Sequence, residues 1–164
     1  MMNDQNFDQF ANDVLEKASE ILTANNILPG GQPFSHNNRA WKCFSKSWKC
    51  IYAFEDGEVY YRLGKTTPRK GLHRGKELLV IELVMDGHKK QAFLPLLAQK
   101  NQIESKLGTT LEREQPKAEA TGKYRFKLFL PYFLVKEGNI RTAAEKLAGL
   151  IATTKPVLNK SGVV

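Results

Sequence analysis

Residues 48–63 read WKCIYAFEDGEVYYRL, and the way this stretch folds decides the architecture of the chain. Trp48 to Phe54 and Glu58 to Leu63 are rich in aromatic and β-branched side chains, which suit a pleated, half-buried surface. Asp56-Gly57 stands between them, a dipeptide that accepts positive φ and closes a type I′ hairpin. Strands joined by so short a turn run antiparallel. Glu77 to Met85 supplies the next strand, largely buried because its run of Leu, Val and Ile is nearly continuous.

On the N-terminal side, Phe7, Phe10, Ala11, Val14, Leu15, Ala18, Ile21 and Leu22 recur at the spacing of one helix face. The spacing predicts a helix over 7–25, and Pro29-Gly30-Gly31 forbids its continuation. Residues 26–40 read as loop, and so do Gly64 to Gly75. C-terminal to the third strand, Phe93, Leu96, Leu97, Ile103 and Leu107 fit a helix face, with Gly108 as the terminating residue and Glu104 and Lys106 as solvated positions. Pro95 belongs in a first turn, so this helix starts near Leu94, or starts near His88 and is kinked. Thr110 to Gln115 and Lys123 to Leu130 form another antiparallel pair around a loop at 116–122. Asn139 caps a last helix, which Pro156 stops after about Thr154.

The order is α-βββ-α-ββ-α. It predicts an α+β fold, a mainly antiparallel sheet of about five strands with helices packed on one face. The 164 residues form a single domain, with a folded core over about 7–158 and a frayed tail at 159–164. Hydrophobic content of 41% and charged content of 26% are ordinary for a folded protein. The longest apolar run, Leu78 to Met85, is broken by Glu82, so no segment is expected to span a bilayer. The polar, acidic start does not read as a signal peptide, and the expected compartment is the cytoplasm.

Charge is distributed unevenly. Residues 1–38 balance at −4, 39–76 at +7, 77–122 at −1 and 123–164 at +6, within a net charge of +8. An acidic first helix followed by basic blocks points to a polyanionic partner. In the first block Arg39, Lys42, Lys46 and Lys49 are interleaved with Trp41, Phe44, Trp48 and Tyr52. That pattern suits phosphate neutralisation with rings stacked on bases. Arg62 follows in the hairpin. Lys65, Arg69, Lys70, Arg74 and Lys76 lie in the next loop, read as flexible enough to follow a backbone. Lys123, Arg125 and Lys127 alternate with Tyr124, Phe126 and Leu128, so they share one sheet face. The candidate nucleic-acid-binding residues are therefore Arg39, Lys42, Lys46, Trp48, Lys49, Arg62, Lys65, Arg69, Lys70, Arg74, Lys76, Lys123, Arg125 and Lys127. The competing explanation of the same residues is a core role for the aromatics and solvation of an open sheet face by the lysines.

Catalytic patterns are incomplete. A restriction-type nuclease needs carboxylates for a divalent metal and a Glu/Asp-x-Lys triplet. Glu58-Val59-Tyr60, Glu77-Leu78-Leu79 and Glu82-Leu83-Val84 all lack the lysine, and Asp56 and Asp86 do not supply it. Cys43 and Cys50 have no histidine tied to them and fall on opposite faces of a regular strand. With His36, His73 and His88 they make no zinc pattern. Gly71 to Gly75 is too short for a phosphate loop. No catalytic residue, metal or cofactor is expected.

The segment Phe93-x2-Leu96-x3-Lys100-x2-Ile103-Glu104-x2-Leu107-Gly108-x2-Leu111-x-Arg113 resembles the central signature of a bacterial and archaeal domain family of unassigned function. The amphipathic first helix, a Trp-containing first strand (Trp41 or Trp48) and Lys155-Pro156 after the last helix resemble its flanks, over roughly residues 7–158. The chain departs from the family pattern in having no basic residue in the strand after Lys76, and Glu112 where an aromatic is usual. Members are often fused to restriction-endonuclease-type nuclease domains, so the resemblance implies a restriction, defence or other DNA-related setting. It supplies no catalytic residues. The expectation is a non-catalytic domain binding DNA or RNA. The alternative is a protein-interaction or accessory module that forms a homo-oligomer or takes an acidic protein partner.

Overall fold

The computed structural model describes residues 4–24, 50–52, 59–69, 73–113, 119 and 122–160. The fold is α+β. Helix α1 spans Asp4–Ala24, followed by strands β1 (Cys50–Tyr52), β2 (Val59–Thr66) and β3 (Leu78–Asp86). A π-helical turn (Lys89–Phe93) leads into α2 (Leu94–Ala98) and α3 (Lys100–Leu107). Then come β4 (Glu112–Arg113), β5 (Lys123–Pro131), the single-turn α4 (Phe133–Lys136) and α5 (Ile140–Lys160). The sheet order is β1-β2-β3-β5-β4, with every neighbour antiparallel. The Asp56-Gly57 turn lies outside the described residues.

β3 occupies the centre because it is the strand that can be buried on both faces, and eight of its nine residues are buried. Its register assigns the two faces. Tyr61, Leu63, Leu79, Ile81, Leu83, Met85, Tyr124, Phe126 and Leu128 share one face and join the buried residues of α1, α3 and α5 in the main core. Helices α1 and α5 pack on each other, and Ala11 and Ala18 on one and Ala143 and Ala144 on the other are fully buried. Gly149 faces α3, where a Cβ would lie 3.2 Å from Leu107 Cδ2.

The middle helical region resolves the Pro95 question. His88 is left-handed (φ 57°), and the wide turn that follows carries Phe93 onto the sheet, 4.4 Å from the Tyr124 ring and 5.5 Å from that of Phe126. Pro95 sits in the first turn of α2, where its missing N–H has no intrahelical partner to lose. The path breaks at Gln99 (φ −107°, ψ 11°) before α3 begins. Gly108 (φ 75°) terminates α3 as the sequence predicts, its N–H donating to the Glu104 carbonyl at 2.9 Å.

Three expectations need correction. Glu104 is not a solvated position: its Oε2 accepts from Lys100 Nζ and from the Leu111 N–H, each at 2.8 Å, tying the chain after Gly108 back to the helix. The one-turn helix α4 has no counterpart in the sequence reading. The last helix begins where Asn139 caps it, Oδ1 accepting the Thr142 N–H at 3.2 Å, but it runs through Pro156 to Lys160. Residues 159 and 160 therefore belong to the helix and not to a frayed tail. Leu158, fully buried, explains the extension. Burying a leucine is worth roughly 2 kcal/mol, which offsets much of the proline penalty of about 3 kcal/mol.

Candidate functional site

The second sheet face carries Tyr60, Arg62, Gly64 and Thr66 from β2, and Leu78, Val80, Glu82, Val84 and Asp86 from β3. Lys123, Arg125, Lys127 and Phe129 come from β5, and Glu112 from β4. A single row crosses it. Arg62 stands opposite Glu82, Glu82 opposite Lys127, and Lys127 opposite Glu112. Arg62 Nη1 meets Glu82 Oε1 at 3.0 Å, and the glutamate side chain is 5% exposed. At the far end His73 Nε2 lies 2.7 Å from Glu112 Oε2, with its ring 4.8 Å from that of Phe129. Charges of alternating sign thus run from strand to strand.

The expected cationic row exists as geometry, since Lys123, Arg125 and Lys127 do share this face. Acids interleave it: Asp86 opposes Lys123, and Lys127 lies between Glu82 and Glu112. Arg125 opposes Val84 and reaches the field of Tyr60. The Tyr60 phenol is held above its usual value, first by burial and then by Asp86, with Arg62 and Arg125 acting against them. Arg62 is therefore ion-paired within the face, Lys127 stands in register between two acids, and both are poorly placed to leave it for a ligand.

The β2–β3 connection differs. Lys65, Arg69, Arg74 and Lys76 are exposed, and among the described residues no ion pair involves Arg69, Arg74 or Lys76. By contrast Lys100 and Arg113 are bonded to Glu104 and Glu119. Gly75 N–H donates to the Pro68 carbonyl at 2.9 Å, and Lys76 N–H to that of His73 at 3.1 Å. His73 then fastens the segment to the β4–β5 edge. The described part of the loop is stitched in place, in contrast to the flexible loop that the sequence suggests. Arg39, Lys42, Lys46, Trp48, Lys49 and Lys70 lie outside the described residues.

This connection ends where β5 ends, because Leu78 pairs with Pro131. Two residues that the sequence reading overlooked arrive there. Tyr132 N–H donates to the Glu77 carbonyl at 3.3 Å, and Lys136 Nζ lies 3.3 Å from Glu77 Oε1. Phe133, between them in the chain, is 53% exposed. An aromatic in an apolar run (Tyr132 to Val135) reads as core, and only the placement of the helical turn α4 shows which side chain is left outside. Pro131 was the available signal that a new element starts there.

The carboxylates considered for metal chemistry are dispersed. Glu82 is bonded to Arg62, and Glu77 faces Lys136 at an exposed site. Asp86 ends β3 opposite Lys123. Asp56 and Glu58 lie outside the described residues. Among the described residues no group of three or more His, Cys, Asp or Glu side chains could hold a metal ion, and no helix is long and apolar enough to cross a membrane. Comparison with protein-family models, curated proteins and solved structures returns no match to this chain. The site is accordingly argued from its chemistry.

Proposed function

We propose that this chain is a non-catalytic nucleic-acid-binding domain whose contact surface is the end of the sheet where β2 leaves and β3 enters. The observation that carries the reading is the set of exposed cations there, Arg69, Arg74 and Lys76, with no acidic partner among the described residues. Cations that do not neutralise the protein's own acids are available for phosphates, and each phosphate neutralised releases condensed counterions. Resemblance of the 93–113 segment to a family fused to restriction-type nucleases supports a DNA-related setting.

Binding to mixed-sequence DNA or RNA should fall steeply with salt. The double variant Arg74→Ala/Lys76→Ala should lose most of the affinity at about 50 mM salt and flatten the log–log salt slope by roughly 1.4 on a single strand, two contacts at about 0.7 each, or by roughly 1.8 on duplex DNA. Fluorescence anisotropy over a salt series reads both. No binding at about 50 mM salt, together with a stable homo-oligomer in light scattering, would replace this reading with the protein-interaction module.

A further inference from the structure

Phe133 is one of two large apolar side chains left exposed among the described residues, the other being Leu94 at 42%. Leu94 follows the Asp86 end of β3, whereas Phe133 stands at the cationic end. Its presentation is built into the fold. Tyr132, Leu134 and Val135 around it are buried, and the backbone on either side is held by the Tyr132-to-Glu77 and Asn139-to-Leu134 hydrogen bonds. Lys136 pairs with Glu77 from the same turn. The ring is therefore fixed outward on an anchored turn, and a ligand meeting it has no segment to order.

An exposed ring left in water forgoes the favourable burial of a phenyl group. At the end of the sheet that also carries Arg74 and Lys76, which have no ion-pair partner among the described residues, it has the composition of a single-strand-binding surface, where bases stack on aromatic side chains and phosphates meet lysine and arginine. A duplex offers the same phosphates, but its bases have both faces already covered by their neighbours.

We infer that Phe133 is a base-stacking platform, and that the nucleic acid taken at this end of the sheet is single-stranded. One base lies on the Phe133 ring while the adjoining phosphates meet Arg74 and Lys76. This inference rests on the nucleic-acid reading above and names the class of ligand.

The test compares four probes by anisotropy: a mixed-sequence DNA strand of about twelve nucleotides, matching the site sizes of single-strand binders, its RNA counterpart, its duplex, and a strand with the same phosphates and abasic positions. The wild-type chain should bind single strands more tightly than the duplex. Phe133→Ala should lower single-strand affinity about five-fold or more and leave the abasic strand and the duplex unchanged, while Phe133→Trp restores it. Because the ring is exposed, thermal unfolding of Phe133→Ala should match the wild type. An equal loss on the abasic strand, a preference for duplex, or indifference to Phe133→Ala overturns the stacking inference alone, provided Arg74→Ala/Lys76→Ala still abolishes binding. Absence of wild-type binding to every probe overturns the nucleic-acid reading itself.

Discussion

The Tyr61 hydroxyl lies 2.7 Å from Thr154 Oγ1, inside the core, and joins the second strand to the last helix across 93 positions of sequence. Thr154 Oγ1 in turn donates to the Leu150 carbonyl at 2.6 Å. Since the threonine has a single proton and gives it to Leu150, the tyrosine is the donor to threonine. Both residues are 1% exposed, so neither group can turn to water.

Thr154→Val removes the acceptor and strands a buried phenol, and should lower stability by about 1–3 kcal/mol in urea unfolding. Adding Tyr61→Phe should recover much of the loss, because no polar group then remains unpaired. A double variant no more stable than the single one would show that Thr154 acts only through packing.

Arg62→Ala leaves Glu82 buried beneath the sheet face without its ion-pair partner. We expect a loss on the order of 2 kcal/mol, below the range for a fully buried pair because Arg62 is 35% exposed and Lys127 faces Glu82 from β5. Glu82→Gln keeps a hydrogen-bond acceptor and should be milder. The comparison by chemical denaturation also separates Arg62 from the binding cations: Arg74→Ala should change salt-dependent binding and leave stability within about 0.5 kcal/mol.

Glu104 holds its carboxyl below the ordinary range, chiefly through the Lys100 hydrogen bond and then through the Leu111 N–H. A depressed folded-state value means that the charged form is the stabilising one. Its contribution is complete above the unfolded value near 4.5 and is lost as pH falls through the lower folded value. Wild type should therefore exceed Glu104→Gln in melting temperature at pH 7, and the gap should close progressively as pH falls below 4.5. A gap independent of pH would mean that the charge is not involved.

Pro156→Ala restores a backbone donor within the last helix and should raise stability by about 1 kcal/mol, part of the proline penalty. Thermal melts at neutral pH test this. A loss of stability instead would mean that the ring shapes the path that buries Leu158.

Much of the fold was legible because burial imposes a period. The 3.6-residue rhythm of Phe10, Val14 and Ala18 and the alternation of Tyr124, Phe126 and Leu128 each name a buried face, and those residues are buried. Boundaries fixed by local chemistry, the Asn139 cap and the Gly108 terminus, were legible too. The extension through Pro156 was not, since the burial of Leu158 that overrides the proline depends on a distant core.

The candidate site was legible as composition and not as arrangement. Sequence supplied the cations and their clustering along the chain, but it ranked Arg62 and Lys127 with Arg74 and Lys76. The cross-strand register separates them, setting the first two against Glu82 and Glu112 and leaving the second two unopposed among the described residues. The one-turn helix α4 likewise leaves Phe133 outside while Tyr132 and Leu134 go in.

The sequence by itself determined the α+β class, the antiparallel pairing and a largely buried third strand, because each follows from interactions within a few residues or from one repeating period; the place of that strand at the centre of the sheet came from the tertiary structure. Only the tertiary structure decided which charges neutralise one another, which aromatic is spent on the core, and that Glu104 ties a loop rather than facing water. The charge and core outcomes depend on contacts between residues far apart in sequence, such as Arg62 with Glu82 and Tyr61 with Thr154, while the Glu104 tie spans only seven positions and depends on how the chain turns back after Gly108.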